Sequence, residues 1–469
     1  MIIERGNKSA SGNFIDKLWQ IDPINNNENL SLMKERCIIL VLRGAGFVIF
    51  KKVKKLNGVF IPPPDKSITH RAMILTAMAK GKSFIRTPLI SLDTSNTSMI
   101  MRDLGVDMSI NQDGELIVES RGYKNFHAPQ MSIWCGNSGT TARLVAGLLA
   151  PQPFKVTIRG DSSLRRRPMD RVIRPLTKMG ANIIGDTLPM TISPSRLFPA
   201  RLEADVPSAQ VKSAVLLAAL QIEGRSSYSE PFSTRNHTER MLPLFGADIF
   251  HNGTDTEIRG GRDLNPIIIT IPGDFSSAAF FMAATYMFED SRLVIRSVGL
   301  NPTRTAFMDI IRSWGADLST TQHRGDWEIV GEVSLRHTKL KGGEIAGTLS
   351  QTAIDELPLL AMLGLFSENG VRIRDADEMK IKESNRIKLL IENFRALGAE
   401  VESFDDGLFV APLKKAEKAL LKSGGDHRIA MVNVLLASKF GLELEEESLS
   451  CINISFPGFM NALAAVSNG

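Results

Sequence analysis

Pro64-Asp65-Lys66-Ser67, followed by the apolar stretch Ala72–Ala79, is the first of six similar passages that decide the fold. Each passage combines a polar turn, of the kind that begins a helix, with an apolar stretch rich in alanine, leucine and methionine. The turns are marked by Ser67, Ser138, Ser208, Ser276, Asp355 and Asp426. The markers lie 68 to 79 residues apart, which is typical of a repeated supersecondary unit. Because a helix start carries free N–H groups and the positive end of its dipole, the turns indicate anion binding.

A second repeated passage follows the first at a matched distance. It consists of an apolar residue, a glycine, a small residue and a polar residue, as in Leu104-Gly105-Val106-Asp107. The glycines of the five passages are Gly105, Gly180, Gly246, Gly315 and Gly398. This pattern predicts a helix that ends at the glycine and leads into a strand. A sixth passage would fall near Gly469, so we expect the last unit to take its closing strands from the segment around Leu56–Pro62.

Six units of alternating helix and strand predict an α/β protein built from repeated βα modules. At 469 residues the chain is long for one hydrophobic core, so we expect two domains of three units each. The predicted first domain is residues 64–271, and the second is residues 46–63 with 272–469. The helix starts of both domains would face one cleft. Residues 1–45 are predicted to be a poorly ordered extension.

The composition is that of a soluble globular protein with a mild excess of positive charge, 56 Lys and Arg against 51 Asp and Glu. Such an excess favours an anionic ligand. Three scattered cysteines indicate a reducing cytoplasm and argue against a disulfide framework or a zinc site. The apolar run Cys37–Phe50 is too short to span a bilayer, so no membrane association is expected.

Basic side chains gather at the helix starts and in neighbouring loops, and guanidinium groups match the geometry of phosphate and carboxylate. These residues include Lys66, Arg71, Arg143, Arg165, Arg166, Arg167, Lys212, Arg235, Arg240, Lys382, Arg386 and Arg428. The pattern predicts a small, highly charged substrate. Asp355 and Glu383 lie among these cations. The residues alone leave two interpretations open: a helix cap and an ion-pair partner, or two proton-transfer groups.

Six motifs, in order from about Leu56 to the C-terminus, resemble the 5-enolpyruvylshikimate-3-phosphate (EPSP) synthase family. They are Lys66–Arg71, Gly136–Arg143, Leu164–Met169, Lys382–Arg386, Asp426–Met431 and Ser455–Phe459. The resemblance implies the two-domain enolpyruvyl transferase fold, an inside-out α/β barrel of three βαβαββ-like units in each domain. It implies transfer of the enolpyruvyl group of phosphoenolpyruvate to the 5-hydroxyl of shikimate 3-phosphate, with release of phosphate and without a metal or organic cofactor.

The resemblance also implies roles for individual residues. Phosphoenolpyruvate would be bound by Lys66, Asn137, Gly139, Arg167, Gln210, Arg386 and Arg428. Shikimate 3-phosphate would be bound by Ser67, Arg71, Ser208, Ala209, Gln210, Arg235, Asp355 and Lys382. Asp355, with Lys66, would be the base for the 5-hydroxyl, and Glu383 the acid for the methylene carbon. Such an acid needs a raised pKa, whereas the surrounding cations lower it.

The sequence departs from the family pattern at four positions. Pro64 stands where the family usually has a glycine, and it lacks an N–H; Asn385 replaces the usual aspartate. Some members carry a tyrosine at the position of Phe232 and a lysine near that of Ile454. Gly139 matches the form of the family that is sensitive to glyphosate. We expect a monomer that binds no nucleic acid.

Two alternative functions fit the sequence less well. The sister enzyme that uses UDP-N-acetylglucosamine typically carries a reactive cysteine in the loop that here reads Asp161–Pro168, which contains none. A non-catalytic nucleic-acid-binding repeat protein would need stacking platforms. Aromatic residues make up 6% of the chain, with three tyrosines, which argues against it.

Overall fold

The computed structural model describes residues 46–325 and 327–467, so the predicted extension, residues 1–45, lies outside the described residues. Two strands precede the first unit: β1 Phe47–Ile49 and β2 Asn57–Phe60. The first unit comprises α1 Lys66–Met78, β3 Lys80–Arg86, α2 Leu92–Asp103, β4 Asp107–Ile110 and β5 Leu116–Arg121. The second comprises β6 Ile133–Trp134, α3 Gly139–Leu149, β7 Val156–Arg159, α4 Asp170–Lys178, β8 Asn182–Ile184 and β9 Met190–Ser193. The third comprises β10 Arg201–Glu203, α5 Ala209–Ala219, β11 Gly224–Ser229, α6 His237–Met241, β12 Asp248–Asn252 and β13 Asp255–Gly260.

The same order of elements continues along the rest of the chain. Next come β14 Ile268–Thr270, α7 Phe275–Met287, β15 Arg292–Gly299, α8 Ala306–Ser313, β16 Asp317–Arg324 and β17 Ile329–Arg336. The fifth unit comprises β18 Gly343–Ile345, α9 Thr348–Thr352, α10 Leu357–Gly364, β19 Val371–Ile373, α11 Arg386–Ala396, β20 Val401–Phe404 and β21 Gly407–Val410. The last elements are α12 His427–Phe440, β22 Glu443–Glu445, α13 Glu446–Ser450 and α14 Phe459–Val466.

The strands of the described residues form five four-stranded sheets and one two-stranded sheet. The four-stranded orders are β14-β3-β5-β4, β6-β7-β9-β8, β10-β11-β13-β12, β2-β15-β17-β16 and β18-β19-β21-β20. In each, the first pair is parallel and the other pairs are antiparallel. The predicted glycine turns are confirmed, since Gly105, Gly180, Gly246, Gly315 and Gly398 all have φ between 76° and 106° before a strand.

Two parallel pairs join strands that are far apart in the sequence. Strand β2 precedes α1 but pairs with β15, and β14 precedes α7 but pairs with β3. The expectation that the segment around Leu56–Pro62 closes the last unit is therefore wrong. That unit is instead extended by β1, which pairs with β22 in the register Phe47↔Glu445. The reason is that β2 already pairs with β15, as the first strand of the sheet β2-β15-β17-β16. It is therefore not available to the last unit.

The two segments that cross between the halves are hydrogen-bonded to each other. Asp65 N donates to Pro272 O at 2.8 Å, and Asp274 N donates to Pro63 O at 2.7 Å. Pro64 faces Gly273 between these two bonds. Both hydrogen bonds of this bridge are donated by other residues, so an N–H at position 64 is not needed. This explains why the structure accommodates proline there. Gly273 is required, because a Cβ would lie 2.6 Å from Pro62 Cγ.

Two separate hydrophobic cores organise the described residues. One is built from residues between Ile68 and Ile271, and the other from Val48–Phe60 together with residues between Phe275 and Val466. We call residues 64–271 the first half, and residues 46–63 with 272–467 the second half. Helices α1, α3 and α5 lie within the first core, and α7, α10 and α12 within the second. Helix α7 is buried along its whole length, as expected of a helix that is apolar all round.

Gly147 allows α3 and α5 to approach closely, because a Cβ there would lie 2.1 Å from the carbonyl oxygen of Ala214. We expect Gly147→Ala to destabilise the protein by about 1–3 kcal/mol, since the two helices must separate to admit the methyl group. Helix propensity alone would stabilise this variant by about 1 kcal/mol. Urea unfolding followed by circular dichroism measures the sign, and a variant at least as stable as the wild type would contradict the close-packing argument.

Candidate active site

The N-terminal ends of the six central helices surround one cavity of about 240 Å³ between the two cores. Five of these helices are capped by a side chain that accepts a backbone N–H: Asp65, Ser138, Ser208, Asp274 and Asp426. Helix α10 differs, because its N-cap is Glu356 and no side-chain bond caps it. The interpretation of Asp355 as a helix cap is therefore wrong. The expectation that the helix starts share one cleft is confirmed.

The cavity lining contains every residue to which the family motifs assigned a role, except Arg71, but it lacks four of the other basic candidates, Arg165, Arg166, Lys212 and Arg240. The lining residues with an assigned role are Lys66, Ser67, Asn137, Gly139, Arg167, Ser208, Ala209, Gln210, Arg235, Asp355, Lys382, Glu383, Arg386 and Arg428. Arg71 is buried behind the lining, where it donates to the backbone carbonyls of Ser67 and Ala209 at 3.0 and 3.4 Å. Its side chain holds the starts of α1 and α5 together, and direct contact with a substrate stays a prediction.

Glu383 is held between two arginines that come from different halves. Its Oε1 lies 3.2 Å from Arg167 Nη1, and its Oε2 accepts from Arg386 Nη2 at 2.6 Å. Burial raises the pKa of Glu383, but Arg386 and Arg167 outweigh it and hold the pKa well below its usual range. Without substrate, Glu383 is an ionised partner of two cations.

Asp355 is surrounded by four arginines. Its carboxylate is paired with Arg235 from the first half. The guanidinium groups of Arg304, Arg386 and Arg428 each come within 3.8 Å of its carboxylate oxygens. Arg428 also donates to the backbone carbonyl of Asp355 at 2.8 Å. The carboxylate therefore occupies the centre of an anion-attracting cluster.

Two lysines of the cavity differ in their partners. Lys66 Nζ lies 3.1 Å from Asp93 Oδ2, a carboxylate that the sequence analysis missed. Burial raises the pKa of Asp93, and Lys66 opposes this effect. Lys382 has no ion-pair partner within the described part of the chain. Burial and the neighbouring Arg386 lower the pKa of Lys382 to about 8.

The predicted amide side chains are fixed by short hydrogen bonds on the first half. Asn137 accepts from Arg167 Nη2 at 2.8 Å and donates to Asp161 Oδ2 at 2.7 Å. Gln210 accepts from Arg143 Nη1 at 2.8 Å and donates to Thr140 Oγ1 at 2.9 Å. These bonds orient polar groups toward the cavity at the starts of α3 and α5.

Several lining residues were not assigned to a substrate or to proton transfer, although Arg143 was among the basic candidates and Ser276 among the helix-start markers. They are Asp93, Arg143, Arg171, Asp274, Ser276, Arg304, Glu378 and His427. Arg171 and Glu378 join the two halves through two bonds of 2.8 and 2.7 Å. Arg304 and Arg171 lie at or just before the second helix of their units, whereas the repeated polar turns of the sequence mark the first helices. Arg304 could have been found by examining the loop that precedes the second helix of its unit, α8.

Two departures from the family pattern are explained by the geometry. Asn385 caps α11 by accepting from Lys388 N at 3.0 Å, a role that asparagine and aspartate share. Phe232 lines the cavity and so contributes an apolar surface where a tyrosine would add a hydroxyl. Nothing in the structure accounts for Ile454.

The charges of the lining favour a small anionic ligand. Its cations are Lys66, Arg143, Arg167, Arg171, Arg235, Arg304, Lys382, Arg386 and Arg428. Its carboxylates are Asp93, Asp274, Asp355, Glu378 and Glu383. This arrangement places guanidinium groups that match phosphate or carboxylate beside carboxylates that are paired with them. In the described residues, no group of three or more His, Cys, Asp or Glu side chains is arranged to hold a metal ion.

The family model of EPSP synthase, 3-phosphoshikimate 1-carboxyvinyltransferase, matches residues 50–463. The chain belongs to the EPSP synthase family. A 3-phosphoshikimate 1-carboxyvinyltransferase of Geobacillus kaustophilus is 40% identical over 423 residues, or 88% of this chain and 98% of the relative. One from Bacillus cytotoxicus is 38% identical over 422 residues, or 89% of this chain and 99% of the relative.

Solved structures agree with membership of the EPSP synthase family. The EPSP synthase of Acinetobacter baumannii superposes with a TM-score of 0.78 at 33% identity, covering 90% of this chain and 98% of that one. The enolpyruvyl transferase NikO of Streptomyces tendae superposes with a TM-score of 0.69 at 17% identity, which shows the fold alone. The enolpyruvyl transferase fold predicted from the sequence is confirmed.

Proposed function

We propose that the protein transfers the enolpyruvyl group of phosphoenolpyruvate to the 5-hydroxyl of shikimate 3-phosphate and releases phosphate. The observation that carries this proposal is the placement of Asp355 and Glu383 among arginines in the cavity between the two cores. The cavity suits two anionic substrates, and the two carboxylates suit one base and one acid. Membership of the EPSP synthase family supports the same reaction.

The proposed substrate contacts follow the family motifs. Phosphoenolpyruvate is bound by Lys66, Asn137, Gly139, Arg167, Gln210, Arg386 and Arg428. Shikimate 3-phosphate is bound by Ser67, Ser208, Ala209, Gln210, Arg235, Asp355 and Lys382, with Arg71 behind them. The two cores are proposed as the two domains, residues 64–271 and residues 46–63 with 272–469.

The proposed mechanism uses the carboxylates in two steps. Asp355 takes the proton of the 5-hydroxyl, whose oxygen bonds to C2 of phosphoenolpyruvate while Glu383 donates a proton to C3. Glu383 then takes a proton back from the new methyl group, the bond between C2 and the phosphate oxygen breaks, and Asp355 returns its proton to the departing phosphate. Glu383 can carry a proton once the anionic groups of phosphoenolpyruvate neutralise Arg167 and Arg386, because fewer unpaired cations then hold its pKa down.

The reaction is tested by measuring phosphate release from phosphoenolpyruvate with and without shikimate 3-phosphate. Release that requires shikimate 3-phosphate supports the proposal. A folded protein that releases no phosphate with it, but does so with UDP-N-acetylglucosamine, would assign the sister activity. The same assay tests the expected inhibition by glyphosate. The absence of a side chain at Gly139 matters for this expectation. A Cβ there would lie 2.7 Å from Arg143 Nη1 and 3.3 Å from Arg167 Nη1, so a larger residue would have to displace these guanidinium groups.

Lys382 gives a pH-dependence to test. Its pKa of about 8 means that it is charged below pH 8 and loses its charge as the pH rises through that value. We expect the KM for shikimate 3-phosphate to rise several-fold between pH 7 and pH 9. Lys382→Arg should flatten this rise, because guanidinium keeps its charge over the same range. An identical rise in both proteins would exclude Lys382 as its source.

The partners and location stay predictions: a monomer in the cytoplasm that binds no nucleic acid, to be tested by size-exclusion chromatography and by salt-dependent retention on DNA. Within the described residues, no single helix is both long and apolar enough to cross a membrane. One sharply bent pair, Glu446–Ile454 with Phe459–Val466, reaches the required length and composition.

A further inference from the structure

Arg304 is a buried arginine of the cavity to which neither the motifs nor the proposed mechanism gives a role. Its side chain is 4% exposed, and it lines the cavity from the loop between β15 and α8. The loop is rigidly held, since Asn301 Oδ1 accepts from both the backbone and the hydroxyl of Thr303 at 2.9 and 2.8 Å. Asn301 also donates to Asn236 Oδ1 of the first half at 2.9 Å. The position of the guanidinium group is therefore fixed by both halves.

The guanidinium group of Arg304 has acidic neighbours but few hydrogen bonds. Nη2 donates to Ser276 Oγ and lies 3.7 Å from Glu356 Oε1. Nη1 lies 3.8 Å from Asp355 Oδ2, which is too long for a hydrogen bond. Nε and Nη1 are buried without an acceptor in the described structure. Buried donors without partners cost free energy, so a charged group kept in this state calls for an explanation.

Arg304 differs from the other three arginines around Asp355 in what else it serves. Arg235, Arg386 and Arg428 are each assigned to a substrate, so their charge is shared with substrate anions in the working complex. Arg304 is not so assigned. Its side chain is 4% exposed, against 24% for Arg235 and 13% for Arg428, while Arg386 is buried as deeply at 1%. Of these four cations, Arg304 is the one to which the proposed function assigns no substrate.

We propose that Arg304 is a positioning residue for Asp355: it holds the carboxylate in place, in its charged form, when the substrates draw the other three arginines away. This inference rests on the proposed function, in which Asp355 is the base. On release from Arg235, a small shift of the carboxylate toward Arg304 would shorten the 3.8 Å separation into a hydrogen bond to Nη1. That bond would satisfy one of the two donors that have no acceptor.

The test is the pH-dependence of kcat for Arg304→Gln. The charged groups that face Asp355 are Arg235, Arg304, Arg386 and Arg428, together with the adjacent Glu356. Removing one of four cations makes the carboxylate easier to protonate. We expect the acidic limb of the kcat profile to move up by about one pH unit, and kcat at neutral pH to fall about 10- to 100-fold. The KM for phosphoenolpyruvate should change by less than about 3-fold.

Two further variants separate positioning from folding. Arg304→Lys keeps the charge and should restore most of the acidic limb, and it carries the test if the glutamine variant does not fold. Arg86→Gln is the control, because Arg86 Nε lies 2.8 Å from Glu115 Oε1 in the first half and outside the cavity lining. It should leave the profile unchanged.

The outcomes are distinguishable. A wild-type enzyme that fails to use shikimate 3-phosphate overturns the proposed function. A wild type that works, beside an Arg304→Gln variant with an unmoved acidic limb, overturns the inference about Arg304 alone, whatever the variant's thermal stability. If only Arg304→Lys folds, it carries the test. An acidic limb of kcat that moves up by about one pH unit in this variant, as expected for the neutral glutamine, also overturns the inference.

Discussion

Glu383→Gln is expected to lower kcat for phosphate release by about 10³-fold, within the range for loss of a general acid or base. The substitution keeps the size of the side chain but removes its proton-carrying capacity. It also removes the negative charge that occupies Arg167 and Arg386 at 3.2 and 2.6 Å. Phosphoenolpyruvate no longer competes with that carboxylate, so its KM should stay level or fall. Asp355→Asn should lower kcat by a similar factor.

The matched control is Glu378→Gln, which changes another carboxylate of the cavity lining that is paired with an arginine of the first half. Its kcat should stay within about 10-fold of the wild type, because Glu378 has no proton to transfer in the proposed mechanism. Steady-state kinetics with both substrates varied measures these constants. Equal losses of kcat in Glu378→Gln and Glu383→Gln would show that ion pairing between the halves, and not proton transfer, explains the effect.

Lys212→Met is expected to destabilise the protein by about 3–5 kcal/mol, the cost of removing one partner of a buried ion pair. Lys212 Nζ lies 2.7 Å from both Glu230 Oε1 and Glu239 Oε1, and all three side chains are at most 1% exposed. Methionine fills a similar volume but leaves two buried carboxylates without their cation. Glu230 also accepts from Thr234 N at 2.7 Å, so the loop that carries Arg235 should loosen as well.

The control for Lys212 is an exposed ion pair of the same length. Lys124 Nζ lies 2.7 Å from Asp263 Oδ1, with 55% and 58% of the two side chains exposed. Lys124→Met should cost less than about 1 kcal/mol, because water screens this pair. Urea unfolding measures both variants, and adding Glu230→Gln and Glu239→Gln to Lys212→Met should recover most of the loss. Similar losses for Lys212→Met and Lys124→Met would contradict the role assigned to burial.

The repeated unit and the shared cleft could be predicted from the sequence because both depend on local signals. A capping side chain such as Ser138 and a glycine such as Gly105 act within a few residues of their own position. Residues 46–63 were predicted to belong with residues 272–469, but the partner strand of β2 was not predicted. The pairing of β2 with β15 depends on contacts more than 200 residues apart in sequence, and one strand says little about its distant partner.

The site was predicted less completely, because side-chain reach and charge environment depend on the assembled fold. Arg71 has the sequence position of a ligand-binding residue, yet it lies behind the lining and holds backbone carbonyls. The low pKa of Glu383 depends on Arg386 and on Arg167, and Arg167 comes from the other half of the molecule. Arg304 was missed because nothing in its local sequence indicates that Asp355 lies beside it.

The paired crossings at Pro63–Asp65 and Pro272–Asp274 mean that the first half is one continuous segment inserted into the second half. We call the inserted segment, residues 64–271, the guest, and residues 46–63 with 272–467 the host. Since β14 pairs within residues 64–271, that guest contains all four strands of its first sheet and can be completed as soon as residue 271 has been synthesised. In the host, β2 is synthesised before the guest but has no partner strand until β15 has been synthesised after it. Cutting both crossings and rejoining Pro63 to Asp274 would therefore restore an uninterrupted host, and the excised guest would carry its two ends side by side.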